Sequence, residues 1–125
     1  MAKRAYGCGL EIALEMVGGK WKPIVLWNLA PGARRFGELR RLVTGISEKM
    51  LIQQLREMQR DGIVAREDFR EVPPRVEYSL TAFGVSLKEA LRPLCEWGAE
   101  HLGRIEETRS KVDPEAVQAS PIPLQ

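Results

Sequence analysis

The sequence predicts a mainly α-helical domain with one small β hairpin (α+β), on three observations. Residues 47–61 read as a capped helix, Ser47-Glu48-Lys49-Met50 through Asp61. Two short β-like runs follow, Ile63 to Phe69 and Val76 to Leu80, flanking a stiff basic turn, Arg70-Glu71-Val72-Pro73-Pro74-Arg75. On both sides lie apolar residues at helical spacing, with no internal repeat.

A chain of 125 residues fits one domain and can bury a real core. Its 44% hydrophobic and 29% charged residues are those of an ordinary globular protein. No apolar run approaches the roughly 18–20 residues that crossing a bilayer requires, so no membrane partner is expected. The start, Met1-Ala2-Lys3-Arg4-Ala5-Tyr6, lacks the apolar core of a signal peptide, and the expected location is the cytoplasm. Cys8 and Cys95 lie far apart without metal-ligand spacing, and His101 is the single histidine, so neither a metal site nor a cofactor is expected. The net charge of +2 is uneven: residues 1–75 hold 14 Lys/Arg against 9 Asp/Glu, and residues 76–125 hold 5 against 8. The basic excess coincides with the helix and hairpin, where an anionic partner would be met.

Leu10 to Val17 reads as a short amphipathic helix ended by Gly18-Gly19. The next helix, about Trp21 to Ala30, is apolar on nearly every side and should be central and buried. Pro23 is tolerated because it falls in the first turn. Arg34-Arg35-Phe36 fits a short strand or an extended lead-in, and Phe36 to Val43 forms a third helix with Phe36, Leu39 and Leu42 or Val43 inward. Thr44-Gly45-Ile46 is a tight turn, and Ser47 is a good N-cap for the fourth helix. Two short helices joined through a glycine turn make a helix-turn-helix unit, and the hairpin after it completes a winged helix-turn-helix. Beyond the hairpin, Thr81 caps a longer helix whose seam runs Phe83, Leu87, Leu91, Leu94, Trp97 or Gly98, and Leu102, with a kink or break expected at Pro93. The boundaries expected are 1–107 for the domain and 108–125 for a flexible tail. Trp21, Trp27 and Trp97, spaced among aliphatics, are expected in the core.

At 100° per residue, Leu51, Leu55 and Met58 share one side of the fourth helix and anchor it. Lys49, Gln53, Arg56 and Arg60 gather on the opposite side, flanked by Gln54 and Met50. Glutamine can bond adenine in bidentate fashion, and arginine can read guanine or grip phosphate. Ser47 stands where a helix N-terminus favours a phosphate. In the hairpin, Val76, Tyr78 and Leu80 alternate with Glu77 and Ser79, so one face packs and the other is wet. The prolines stiffen the tip, from which Arg70 and Arg75 are expected to project toward the backbone or minor groove. A solvated polar face would look similar on an arbitrary helix, but the turn before it and the hairpin after it favour a reader of double-stranded DNA.

The runs Gly18-Gly19-Lys20-Trp21-Lys22, Arg35-Phe36-Gly37-Glu38-Leu39, Gly45-Ile46-Ser47-Glu48-Lys49-Met50-Leu51, Gln54-Leu55-Arg56-Glu57, Asp61-Gly62 and Pro73-Pro74-Arg75-Val76-Glu77-Tyr78-Ser79-Leu80-Thr81 together resemble the HxlR-type regulators, of the MarR-like winged helix-turn-helix proteins. The resemblance spans about Cys8 to Trp97 in one register. It implies a homodimeric transcriptional regulator on a pseudo-palindromic operator, joined through the N-terminal segment and the last helix. The fourth helix would lie in the major groove, with the wing (69–76) beside it. Some members of that family sense oxidants or electrophiles with a cysteine at the position of Cys8, which makes Cys8 a candidate redox sensor and leaves room for an unidentified small-molecule or oxidant effector. Its setting before a helix and near Lys3 and Arg4 favours thiolate. Gly9 follows Cys8 where many relatives have proline, which frees the local backbone. Cys95, beside Leu91 and Leu94, reads as a packed thiol.

Two other classes fit the sequence less well. A winged helix can serve as a protein-interaction module without reading DNA, but the Lys49/Gln53/Arg56/Arg60 face argues against it. An enzyme, for instance a thiol oxidoreductase, lacks support, since the chain has no CxxC, phosphate-binding glycine loop or convergent acid pair.

Overall fold

The computed structural model describes residues 7–112. They fall into two compact units that part between Ser86 and Leu87. The first holds α1 (Gly9–Met16), α2 (Trp21–Leu29), β1 (Arg34–Arg35), α3 (Phe36–Leu42), α4 (Glu48–Arg60), β2 (Val64–Asp68), β3 (Val76–Leu80) and the start of α5 (Ala82–Val112); the second is the remainder of α5. The element order and type match the sequence reading, with helix ends within one or two residues up to α5.

The core of the first unit lies where α2, α3 and α4 meet the sheet. Val25, Leu26 and Leu29 of α2, Leu39 of α3, and Leu51, Leu55 and Met58 of α4 are all buried, joined by Val43, Ile46, Ile63 and Val64 from the connections and β2. Each such side chain contributes about 1.5–3 kcal/mol on burial, against about 1 kcal/mol for a helix cap. Packing therefore holds α4 in place, while the cap decides where it starts. Gly45 and Gly62, at φ 87° and 75°, make the turns on either side of α4 in a conformation that L side chains rarely adopt.

Arg34-Arg35 is a strand after all, and it enlarges the hairpin to a three-stranded antiparallel sheet of order β1-β3-β2. Arg34 pairs with Tyr78, and β2 pairs with β3 from Val64↔Leu80 to Asp68↔Val76. Because β3 is the central strand, all five of its residues are half-buried and the expected packed/wet alternation does not develop. Arg34 is fixed from behind: its Nε donates to the Asn28 carbonyl at 2.6 Å and a terminal nitrogen to Glu38 at 3.1 Å.

Thr81 ties the sheet to α5. Its hydroxyl accepts from the Gly84 N–H at 3.0 Å and lies 2.5 Å from the Gly62 carbonyl, while its own N–H donates to Ile63 O at 3.0 Å. Gly84 is buried there, and a Cβ on it would run into the Ile63 carbonyl oxygen.

In the second unit α5 is continuous through Pro93, so of the kink or break expected there the break does not occur. Proline removes one backbone bond at a cost of about 3 kcal/mol, which a helix with many turns on each side can absorb. The helix also extends past Thr108, whose hydroxyl donates to the Arg104 carbonyl at 2.9 Å, so residues 108–112, expected in the tail, are helical; residues 113–125 lie outside the described residues. Arg92 and then Lys88 hold the exposed Glu89 carboxyl down to about 2. Trp97 is exposed rather than core and stacks on His101, with ring centroids 4.6 Å apart.

Candidate nucleic-acid interface

The outward side of α4 is built by its N-cap and by spacing. Ser47 is extended (φ −78°, ψ 157°) and its Oγ accepts from the Met50 N–H at 3.0 Å. That bond uses the oxygen as acceptor, so the hydroxyl proton can still be donated to an anion at the helix N-terminus. Lys49, Gln53, Arg56 and Arg60 are all exposed, as the wheel predicts. Ser47, Glu48, Lys49, Ile52, Gln53 and Arg56 line an open concavity of about 700 Å³. The acidic member, Glu48, has Arg40 of α3 at 3.9 Å, which offsets its charge toward an anionic ligand.

Gln54 departs from its expected place. It is only 9% exposed, on the inward side with Leu51, Leu55 and Met58, and its Nε2 donates to the Met50 sulfur at 3.4 Å. The positions 51, 54, 55 and 58 form the i, i+3, i+4, i+7 stripe that faces a core, so Gln54 is a polar residue in an apolar register. It supports Met50 and is not on the concave face; Met50 itself is half-buried beside it.

Two residues absent from the sequence-based candidates lie behind this surface. Lys22 of α2 donates its ammonium to Glu57 Oε1 of α4 at 2.8 Å, with side chains 11% and 27% exposed. The Lys22 hydrogen bond, assisted by Gln53 and by the charges of Lys22 and Arg60, holds the Glu57 carboxyl below its ordinary range against the opposing effect of burial. The Gln53–Glu57 spacing of one turn was visible in the sequence; the partner on α2 depends on tertiary packing.

At the hairpin the two arginines behave differently. Arg70 is exposed, at φ 54°, with its N–H bonded to Asp68 Oδ1 at 2.8 Å. Arg75 does not project from the tip. Its guanidinium lies 3.6 Å over the Phe69 ring, its Nε is 3.6 Å from Glu77, and a terminal nitrogen is 3.8 Å from Glu71. Arg75 follows Pro73-Pro74 at the closing end of the loop, where the Phe69 N–H donates to its carbonyl at 2.9 Å. Cation–π attraction and two carboxylates then draw the side chain back. Arg75 braces the wing, and Arg70 is its outward cation.

Cys8 is exposed in the extended N-cap position of α1, its carbonyl accepting from the Glu11 N–H at 3.1 Å. Lys3 and Arg4 lie outside the described residues. Cys95 is half-buried, and its neighbour Leu94 is 64% exposed, so that part of α5 is not a closed core in this chain alone. Among the described residues no group of three or more His, Cys, Asp or Glu side chains is placed to hold a metal ion, and no helix is long and apolar enough to cross a membrane.

Residues 16–106 match the HxlR-like helix-turn-helix family model. The chain is 47% identical over 105 residues to the HTH-type transcriptional regulator YtcD of Bacillus subtilis (strain 168), covering 84% of this chain and 83% of that protein. Among solved structures, the redox regulator HypR in its reduced form superposes with a TM-score of 0.76 at 43% identity, covering 80% of this chain and 99% of that one. Oxidized HypR superposes with a TM-score of 0.70 at 46% identity, covering 74% and 96%.

Proposed function

Because the chain belongs to the HxlR-like helix-turn-helix family of transcriptional regulators, we propose that it regulates transcription from the cytoplasm as a homodimer that sets α4 of each subunit in a major groove of double-stranded DNA. The observation that carries this is the outward face of α4, where Lys49, Gln53 and Arg56 are exposed together behind the Ser47 cap. Gln53, with Met50 at the margin, meets base edges; Lys49, Arg56 and the Ser47 hydroxyl meet guanine or phosphate. Arg70 reaches the backbone or minor groove from the wing, while Arg75 keeps the wing in shape.

A homodimer accounts for two apolar surfaces, each of which is exposed in its own unit. On α1 they are Leu10, Ile12 and Leu14; on α5 they are Leu94 and Trp97. Water contact over so much apolar area is unfavourable, and a second copy would remove it. Two-fold symmetry then asks for half-sites about 34 Å apart or a multiple of it. A gel shift on duplex DNA at two salt concentrations tests the reading: binding that weakens steeply with salt supports it, and absence of binding at low salt refutes it.

HypR is a redox regulator by name, and Cys8 is exposed at the N-cap of α1, where a solute can reach its sulfur. We extend the proposal to an oxidant or electrophile acting at Cys8. Operator release after mild oxidation should occur in wild type and fail in Cys8→Ser; equal responses would remove Cys8 from the mechanism.

A further inference from the structure

We propose that Glu57 is a positioning residue for sequence reading: anchored by Lys22, it fixes the side-chain amide of Gln53 so that one edge of that amide is offered to a base pair. The inference deepens the reading of α4 and rests on it.

A carboxylate on a helix that meets DNA repels phosphate, so Glu57 needs a reason to be where it is. The structure supplies two. Lys22, nearly buried, donates to it at 2.8 Å, which neutralises the charge locally and stops the carboxylate from swinging into solvent. Gln53 stands one helical turn earlier, at the i,i+4 spacing where a glutamine amide and a carboxylate hydrogen-bond along a helix. The Gln53 amide, after Lys22, is among the groups that hold the Glu57 carboxyl below its ordinary range, in keeping with that spacing.

The chemistry follows from the inventory of an amide. An untethered glutamine exchanges its oxygen and nitrogen ends by rotation about the last torsion, presenting an acceptor or a donor with little preference. Tethering one N–H to a fixed carboxylate removes that freedom. The carbonyl oxygen and the second N–H remain as an adjacent acceptor and donor. Adenine offers the complement in the major groove, the N6 amino group and N7. Glu57 would thus set base preference without touching DNA, and Lys22 on a different helix would act through it.

The test is a binding-site selection on randomised duplexes at one salt concentration. It compares wild type, Gln53→Ala, Glu57→Gln and the double variant Lys22→Met, Glu57→Met. Gln53→Ala identifies the position that Gln53 reads. The double variant replaces the ion pair by apolar side chains of similar length, an exchange proteins often tolerate, and it leaves net charge unchanged. The expected result is adenine at that position in wild type, and a loss of that preference of at least about fivefold in both clamp variants, the low end for one bidentate base contact. Affinity of the double variant for unselected duplex should change by less than about twofold, because its phosphate contacts are intact. If the double variant keeps the adenine preference that Gln53→Ala abolishes, the proposal fails while the α4 reading stands. A uniform loss of affinity at all positions would make Glu57 merely structural and would also overturn it. If Gln53→Ala leaves the selected sequence unchanged, the reading residue itself is misassigned and both ideas fall.

Discussion

Replacing Arg70 by glycine separates what the wing does for DNA from what it does for the fold. Arg70 sits at φ 54°, a left-handed conformation that costs an L residue about 1–2 kcal/mol. Glycine escapes that penalty but loses about 0.5–1 kcal/mol more chain entropy on folding. The balance runs from neutral to about 1.5 kcal/mol of stabilisation, or a rise of up to several degrees in Tm. The turn itself should persist, since the bond from the residue-70 N–H to Asp68 Oδ1 (2.8 Å) uses no Arg70 side-chain atom. DNA binding should move the other way. Each phosphate contact contributes about −0.9 to the slope of log K against log salt, so losing one per subunit flattens a dimer's slope by about 1.8. Doubling the salt would then weaken the variant roughly threefold less than it weakens wild type. Fluorescence anisotropy of a labelled operator over a salt series, with a thermal melt followed by circular dichroism, measures both quantities. Arg70→Gly that binds more weakly with an unchanged salt slope would mean that Arg70 is not a phosphate contact. A fall in Tm of several degrees would contradict the backbone argument.

Three further outcomes follow from the same geometry. Ser47→Ala removes the acceptor for the Met50 N–H and should lower unfolding free energy by about 1 kcal/mol in a denaturant titration; an unchanged midpoint would mean the cap is dispensable. Gly84→Ala forces a Cβ against the Ile63 carbonyl and should destabilise by about 1–3 kcal/mol, seen as a lowered Tm; no change would show that the first turn of α5 shifts freely. The Glu57 carboxyl titrates below its ordinary value of 4.5, so the stability it contributes is complete above pH 4.5 and is lost as pH falls through the folded value. Glu57→Gln should therefore lose less stability than wild type on acidification below 4.5, and parallel curves would contradict the pairing with Lys22.

Local chemistry carried most of what the sequence could disclose. The Ser47 cap, the Gly45 and Gly62 turns and the Leu51/Leu55/Met58 anchor are written in adjacent residues, and the structure has all of them. The outward set Lys49, Gln53, Arg56 and Arg60 followed from the same wheel. Gln54 was legible too, since it continues the 51/55/58 stripe, but its polarity drew it toward the wrong face. What pattern could not supply was the partner across space. Arg75 looks free in the sequence and becomes braced only when Phe69 and Glu77 close around it. Arg34-Arg35 becomes a strand because β3 offers it an edge. Pro93 reads as a kink or a break, yet the helix continues across it because the turns around it outweigh one lost bond. Trp97 reads as core, but a helical stripe states only that a face is apolar, not which molecule covers it. The Lys22–Glu57 pair spans 35 positions and has no local signature.

The central claim is that the outward face of α4 meets DNA. An NMR titration of the isotopically labelled protein with a duplex bearing its selected site tests this most directly. Amide and side-chain signals of Ser47, Lys49, Gln53 and Arg56 should shift most, with Arg70 on the wing shifting alongside them. Leu55 and Met58, facing the core of the same helix, should move little. Large shifts confined to residues away from α4 and the wing would contradict the account.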